Sequence, residues 1–250
     1  GYNSVPAADE DKPRVARDTG ELIMGALAAG RLPSAILTRR AFANATAAAV
    51  ASGGSTNVVL HLLALAREAG VEFGMSDFEA VARRTPLLCD LKPGGQFSAS
   101  ELHAAGGVGA VVRVLLDGGH LDPDCLTITG RTLGEEAADA RPAAGQRVIM
   151  PADAPLMPGG SLCILTGNLA PEGSVVKVSP ATPRFHRGPA QVFECEEDAS
   201  EAVLGQRVKP GATVVIRNEG PRGGPGMREM LLVTAALIGE GLGQSVALVT

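Results

Sequence analysis

A chain of 250 residues and 25.4 kDa can bury a sizeable core, as one large domain or two small ones. Its formal net charge of -5 and pI near 5.4 leave no basic stripe, which argues against sequence-independent binding to nucleic acid or anionic membrane. There is no apolar run of about 18 residues and no basic-then-apolar leader at Gly1–Pro6, so the expected location is the cytoplasm and the expected partners are small molecules or protein subunits.

From Pro13 to about Ala138 the pattern is mostly helical. Pro13 opens a helix running to Ala29, Gly30 caps its end, and Pro33 bars continuation. Thr38 caps an alanine-rich helix over Arg39–Ala51. A glycine turn with Ser/Thr caps, Ser52–Asn57, then leads into an apolar helix that stops at Gly70. Ser76–Glu79 and Ser98–Glu101 each place Glu three residues after Ser and predict capping boxes. Between them, Thr85–Gly95 reads as a short strand and a turn, and Val108–Leu116 as another helix.

After Ala138 prolines and glycines crowd a short interval, and strand-like runs follow at Arg147–Met150, Ser161–Thr166, Ser174–Val178 and Ala190–Phe193. With a helix at Glu196–Leu204, this predicts a β-rich second domain, residues 141–250, after a helix-rich α/β portion, residues 1–140. The chain starts at Gly1 and stops in the apolar run Ser245–Thr250, which leads to the expectation that it is an internal piece of a longer protein.

The most unusual stretch is Arg217–Met230. The strand-like run Ala212–Ile216 enters it, and four glycines and two prolines fall within Gly220–Gly226. The helix beyond is predicted to bury Met227, Met230, Leu231, Thr234, Ala235 and Ile238. Glu229, on its first turn, can complement the helix dipole or serve as a ligand to a hard cation such as Mg²⁺, and the residues alone leave both open.

Ser55 and Thr56 stand at a helix N-terminus, where hydroxyls and N–H groups can either cap the helix or hold a substrate carboxylate or a phosphate. The stretch is not a P-loop, since it lacks Gly-Lys-[Ser/Thr], although a phosphate-binding enzyme is one alternative it raises. His61 shares a helical stripe with Val58, Leu62 and Leu65 and is expected in the core. Cys89, Cys125, Cys163 and Cys195 lie about 35 residues apart with no C-x-x-C pair and are expected to be free, buried thiols.

Five motifs together resemble the dihydroxy-acid and sugar-acid dehydratases. They are Gly53–Asn57 with Leu60–Leu62, Asp90–Gly95, Leu126–Gly130, Gly167–Gly173 and Glu219–Met230, in the family's order. The resemblance covers about Tyr2 to Thr250 and implies a homo-oligomeric hydro-lyase with an α/β N-terminal domain and a β-barrel-like C-terminal domain. It implies conversion of a 2,3-dihydroxy carboxylic acid to a 2-keto acid, with an iron–sulfur cluster and Mg²⁺ as cofactors and a serine as base. Of the family's functional residues it matches only Glu229, as the Mg²⁺ ligand. The cluster cysteines and the base serine are expected outside these residues, so no catalytic residue is expected within them and the piece alone should be inactive. The stretches around Gly53–Val71 and Asp124–Gly130 are closer to the dihydroxy-acid branch, which serves branched-chain amino-acid synthesis, than to the sugar-acid branch. A non-catalytic scaffold is the remaining alternative.

Overall fold

In the computed structural model, which describes residues 5–92, 94–180, 182–220 and 230–250, packing separates residues 1–181 from residues 182–250, and each unit has its own core. Helix and sheet are mixed in the chain as a whole. No helix among the described residues is long and apolar enough to cross a membrane.

The first unit carries α1 (Lys12–Ala28), α2 (Pro33–Ile36), α3 (Arg39–Ala51), α4 (Asn57–Glu68), α5 (Met75–Arg84), α6 (Ala99–Ala104), α7 (Gly107–Asp117) and α8 (Leu133–Glu136). An antiparallel hairpin of β1 (Leu162–Leu165) and β2 (Ser174–Lys177) completes it, with Leu162 opposite Lys177. Helix α3 is central. Thr38 caps it as expected, its hydroxyl accepting from the Ala41 N–H at 3.2 Å. One side of α3, Ala47 and Ala51, packs with Leu88, Val111 and Leu115; the other, Phe42 and Val50, packs with Leu62, Phe78 and Leu162. Each large apolar side chain buried in this way contributes about 1.5–3 kcal/mol relative to exposure.

Leu87–Leu91 is held by single bridges rather than a ladder: Leu87 to Met157, Cys89 to Ile149 and Leu91 to Phe97. The N–H groups of Leu88 and Cys89 both donate to the Ala51 carbonyl at the end of α3. The expected strand at Arg147–Met150 is therefore one bridge partner of this irregular segment. The Ser161 hydroxyl donates to the Val50 carbonyl at 2.6 Å, fixing the start of the hairpin to α3.

Two expectations for this unit are corrected. His61 is exposed, because the buried side of α4 is Val59, Leu62 and Ala66, one position round from the expected stripe. The box at Ser76–Glu79 does not form: α5 starts earlier, with Gly74 as N-cap and the Asp77 carboxylate accepting the Gly74 N–H at 2.8 Å. Helix α1 ends before Pro33, as expected, and Pro33 opens the single turn of α2. The box at Ser98–Glu101 forms as expected, and another, at Thr132–Glu135, starts α8.

The second unit is a βαβαβ arrangement: β3 (Ala190–Phe193), α9 (Glu196–Leu204), β4 (Thr213–Ile216), α10 (Leu231–Gly239) and β5 (Ala247–Val249). The three strands are parallel in the order β3-β4-β5, with β4 central. Val214 and Ile216 turn one face of β4 to both helices, packing with Ala202 and Val203 of α9 and Val233 and Leu237 of α10. The opposite face carries Val192, Val215 and Val249 in register, and Val192 is 53% exposed.

Helix α10 buries Val233, Ala236 and Leu237 behind Met230, while Leu231 and Ile238 are 67% and 68% exposed. Of the expected face Met230 is buried and Thr234 half-buried, but Leu231, Ala235 and Ile238 are exposed, so the buried side is turned by about one residue step. The helix is apolar nearly all round, so hydrophobic periodicity cannot select a side.

Candidate functional site

Two places in the chain gather chemistry, one in each unit. In the second unit it is the carboxyl end of the parallel sheet, where open α/β sheets place their ligands. Here β3 runs out into Glu194 and Cys195, and β4 into Arg217, Asn218, Glu219 and Gly220. The Arg217 N–H donates to the Phe193 carbonyl at 2.9 Å, carrying the β3–β4 pairing one residue past the strands. The Arg217 guanidinium grips both oxygens of the Glu194 carboxylate, and the Asn218 amide donates to the same carboxylate at 2.8 Å. Asn218 adopts φ 63°, a left-handed conformation that Asn tolerates better than most residues. The Glu219 carboxylate accepts the Glu196 N–H at 2.8 Å, at the start of α9. The turn after β4 is thus tied to the turn after β3 by side chains. Residues 221–229, and with them Glu229 and Met227, lie outside the described residues.

In the first unit the glycine turn before α4 borders a cavity of about 340 Å³. Gly53, at φ 62°, lines it; Ser55 and Thr56 do not. Ser55 is exposed, and its hydroxyl accepts the Asn57 N–H at 3.2 Å. Thr56 precedes α4 in helical conformation and makes no side-chain cap, so the capping expected of this pair falls to Ser55 alone.

The Asp90–Gly95 turn forms another wall. The Asp90 carboxylate accepts from the Gln96 backbone N–H at 3.3 Å and from the Gln96 side-chain amide at 3.0 Å. A Cβ on Gly95 would overlap that carboxylate, which is why the turn needs glycine there. Lys177, the last residue of β2, enters the cavity half-buried, and burial pushes its pKa below the ordinary lysine value.

The cysteines are all free, as expected, but only Cys89 and Cys125 are buried; Cys163 and Cys195 are half-buried. Burial pushes the Cys89 thiol up to about 12, and it also raises Cys125. The Cys163 thiol donates to the Gly160 carbonyl at 2.9 Å. Among the described residues no three His, Cys, Asp or Glu side chains are grouped to hold a metal ion.

Lys177 and Gln96 were not singled out from the sequence. Asp90 enters the sequence reading only within the Asp90–Gly95 motif. The available signal was that motif, since a carboxylate followed by two glycines four and five residues on marks a tight turn around it.

Comparison with known proteins agrees with the motif order. Residues 1–136 match the profile described as dihydroxy-acid/6-phosphogluconate dehydratase N-terminal, and residues 147–250 match its C-terminal counterpart. A protein of Roseiflexus sp. (strain RS-1) named dihydroxy-acid dehydratase is 56% identical over 250 residues, covering 100% of this chain and 45% of the relative. Relatives of the same name from Koribacter versatilis and Thermus thermophilus are 51% and 49% identical, again over 100% of this chain and 44% and 45% of their own length. The chain therefore spans a little under half the length of the curated relatives it matches.

Proposed function

The chain belongs to the dihydroxy-acid/6-phosphogluconate dehydratase family, and from that premise we propose that it forms part of a hydro-lyase that eliminates water from a 2,3-dihydroxy carboxylic acid to leave a 2-keto acid. The observation that carries this reading is identity of 49–56% along the whole chain to relatives named dihydroxy-acid dehydratase. The stretches around Gly53–Val71 and Asp124–Gly130, which resemble the dihydroxy-acid branch, support a branched aliphatic dihydroxy acid, used in branched-chain amino-acid synthesis, over a sugar acid.

Hydroxide is a poor leaving group, and a Lewis-acidic metal, when bound, supplies the charge stabilisation its departure needs. The carboxylate proposed to hold Mg²⁺ is Glu229, with Ser55 and Thr56 as substrate contacts. Support for Glu229 is positional: its loop leaves the carboxyl end of β4, after a turn tied by Arg217, Asn218 and Glu219. Glu194 and Glu219 are already engaged by donors of this chain, so neither is proposed as the ligand in place of Glu229. No step is assigned to the four thiols; the ligands of an iron–sulfur cluster are proposed to come from other residues of the enzyme.

We place the division between an N-terminal α/β portion and a β-barrel-like C-terminal domain near residue 140. The apolar row Val192, Val215 and Val249 supports a further layer, because parallel sheets are normally covered on both faces. A homo-oligomeric, cytoplasmic enzyme acting on a small molecule is the form proposed. In the enzyme containing this chain, Glu229→Gln should leave the fold intact, weaken the dependence of turnover on Mg²⁺ and sharply reduce kcat; unchanged kinetics would remove Glu229 from the site.

A further inference from the structure

We propose that the cavity beneath the Gly53 turn binds the carboxylate of a short aliphatic acid, with the Lys177 ammonium as its counter-ion. The proposal rests on the cavity itself and stands whether or not the dehydratase reading does.

The volume, about 340 Å³, lies at the small end of the range for ligand sites. Its lining combines apolar side chains, Leu87, Leu156 and Val178, with polar ones, Lys177, Asp90 and Gln96. Leu87 and Val178 also belong to one buried hydrophobic cluster, so the apolar lining is backed by packed structure.

Lys177 is the group without an evident purpose. Among the described residues its ammonium makes no hydrogen bond and no ion pair, although it is half-buried. The carboxylate in the same lining is Asp90, and both of its oxygens already accept from Gln96. A cation partly withdrawn from water with no partner carries a desolvation cost, and an incoming carboxylate would supply an opposite charge and a charge-assisted hydrogen bond.

Glycine at position 53 leaves space between Leu87 and the Lys177 stem. A Cβ there would stand 3.3 Å from Leu87 Cδ1 and 4.0 Å from Lys177 Cε, narrowing that gap.

The charge count chooses the ligand class. One lysine and one aspartate line the cavity, so a dianion such as phosphate would meet repulsion with only a single cation to offset it. A polyhydroxylated acid would leave its hydroxyls against Leu87, Leu156 and Val178 without partners. A monocarboxylate with a small branched or straight aliphatic tail satisfies both parts of the lining.

The test titrates the full 250-residue chain with isovalerate, isovaleramide, gluconate and inorganic phosphate, following backbone amide shifts by NMR and affinity by calorimetry. Isovalerate should shift the amides of Gly53, Asp90 and Lys177, and isovaleramide, which lacks the charge, should bind at least about tenfold more weakly. Lys177→Met should lower isovalerate affinity by a similar factor, with Lys177→Arg retaining more of it. Equal binding of acid and amide, stronger binding of gluconate or phosphate, shifts confined to other residues, or no isovalerate binding would each overturn the proposal. The acid–amide comparison needs no variant, so it decides the matter even if Lys177→Met fails to fold.

Discussion

The Glu219 carboxylate accepts a 2.8 Å hydrogen bond from the Glu196 N–H and so joins the turn after β4 to the first residue of α9. It satisfies a helix-start donor with a charged acceptor, where a carboxylate also meets the positive end of the helix dipole. Glu219→Ala should cost about 1 kcal/mol, read from the urea midpoint, and Glu219→Gln less than half of that. The nearby Arg217–Glu194 pair is more conspicuous but weaker. Its side chains are 59% and 57% exposed, so Arg217→Ala should cost well under about 1 kcal/mol. A larger loss for Arg217→Ala than for Glu219→Ala would reverse this ranking.

Asp90 and its two neighbouring glycines make a sharper contrast. A Cβ at Gly95 would overlap the Asp90 carboxylate and meet its backbone carbon at 2.5 Å, whereas at Gly94 it would meet Ser179 Cβ at an ordinary 3.4 Å. Gly95→Ala should therefore destabilise by about 1–3 kcal/mol and Gly94→Ala by less than about 0.5 kcal/mol in thermal melts. Similar losses at both positions would mean the turn relaxes freely.

Two groups lining the cavity should give opposite pH slopes. Cys89 has an ordinary thiol value of 9.0 and is raised to about 12 in the fold, so the folded state holds the proton more tightly. Its stabilising contribution is complete below about 9 and is lost as pH rises toward about 12. Lys177 is depressed below 10.5, so the unfolded state binds the extra proton and stability rises with pH through that window. Denaturation midpoints against pH should flatten on the alkaline side for Cys89→Ala and lose the rising component for Lys177→Met. At neutral pH, Cys89 should also be the last of the four thiols to react with a thiol-specific reagent, and Cys163 or Cys195 the first.

Helix α10 supplies a test of side selection. Leu237 is 5% exposed and Leu231 is 67% exposed. Leu237→Ala should cost about 2–5 kcal/mol and Leu231→Ala under about 0.5 kcal/mol in chemical denaturation of this chain. The reverse order would restore the face expected from periodicity.

The difference between what could and could not be read follows the range of each interaction. Thr38 before α3, Pro13 in α1, Gly70 after α4 and the apolar run of β3 act within a turn or a strand, and each was legible. Ser76–Glu79 failed locally because Asp77, three residues after Gly74, competes for the same helix start. Leu87–Leu91 could be seen as extended but not as a set of single bridges, since Met157 and Ile149 lie far along the chain. The cavity was out of reach for the same reason: Gly53, Asp90 and Lys177 meet only after α3, the irregular segment and the hairpin have packed. Motif order carried the family without carrying this geometry.

The proposed substrate of the enzyme containing this chain is a branched 2,3-dihydroxy acid. The direct measurement is the rate of 2-keto acid formation by the enzyme containing the chain, given 2,3-dihydroxyisovalerate and, separately, a panel of aldonates. The account predicts turnover of 2,3-dihydroxyisovalerate with kcat/KM at least about tenfold above any aldonate, a difference of about 1.4 kcal/mol in transition-state binding. Turnover of aldonates alone, or of neither substrate class by a correctly folded and metal-loaded enzyme, would contradict it.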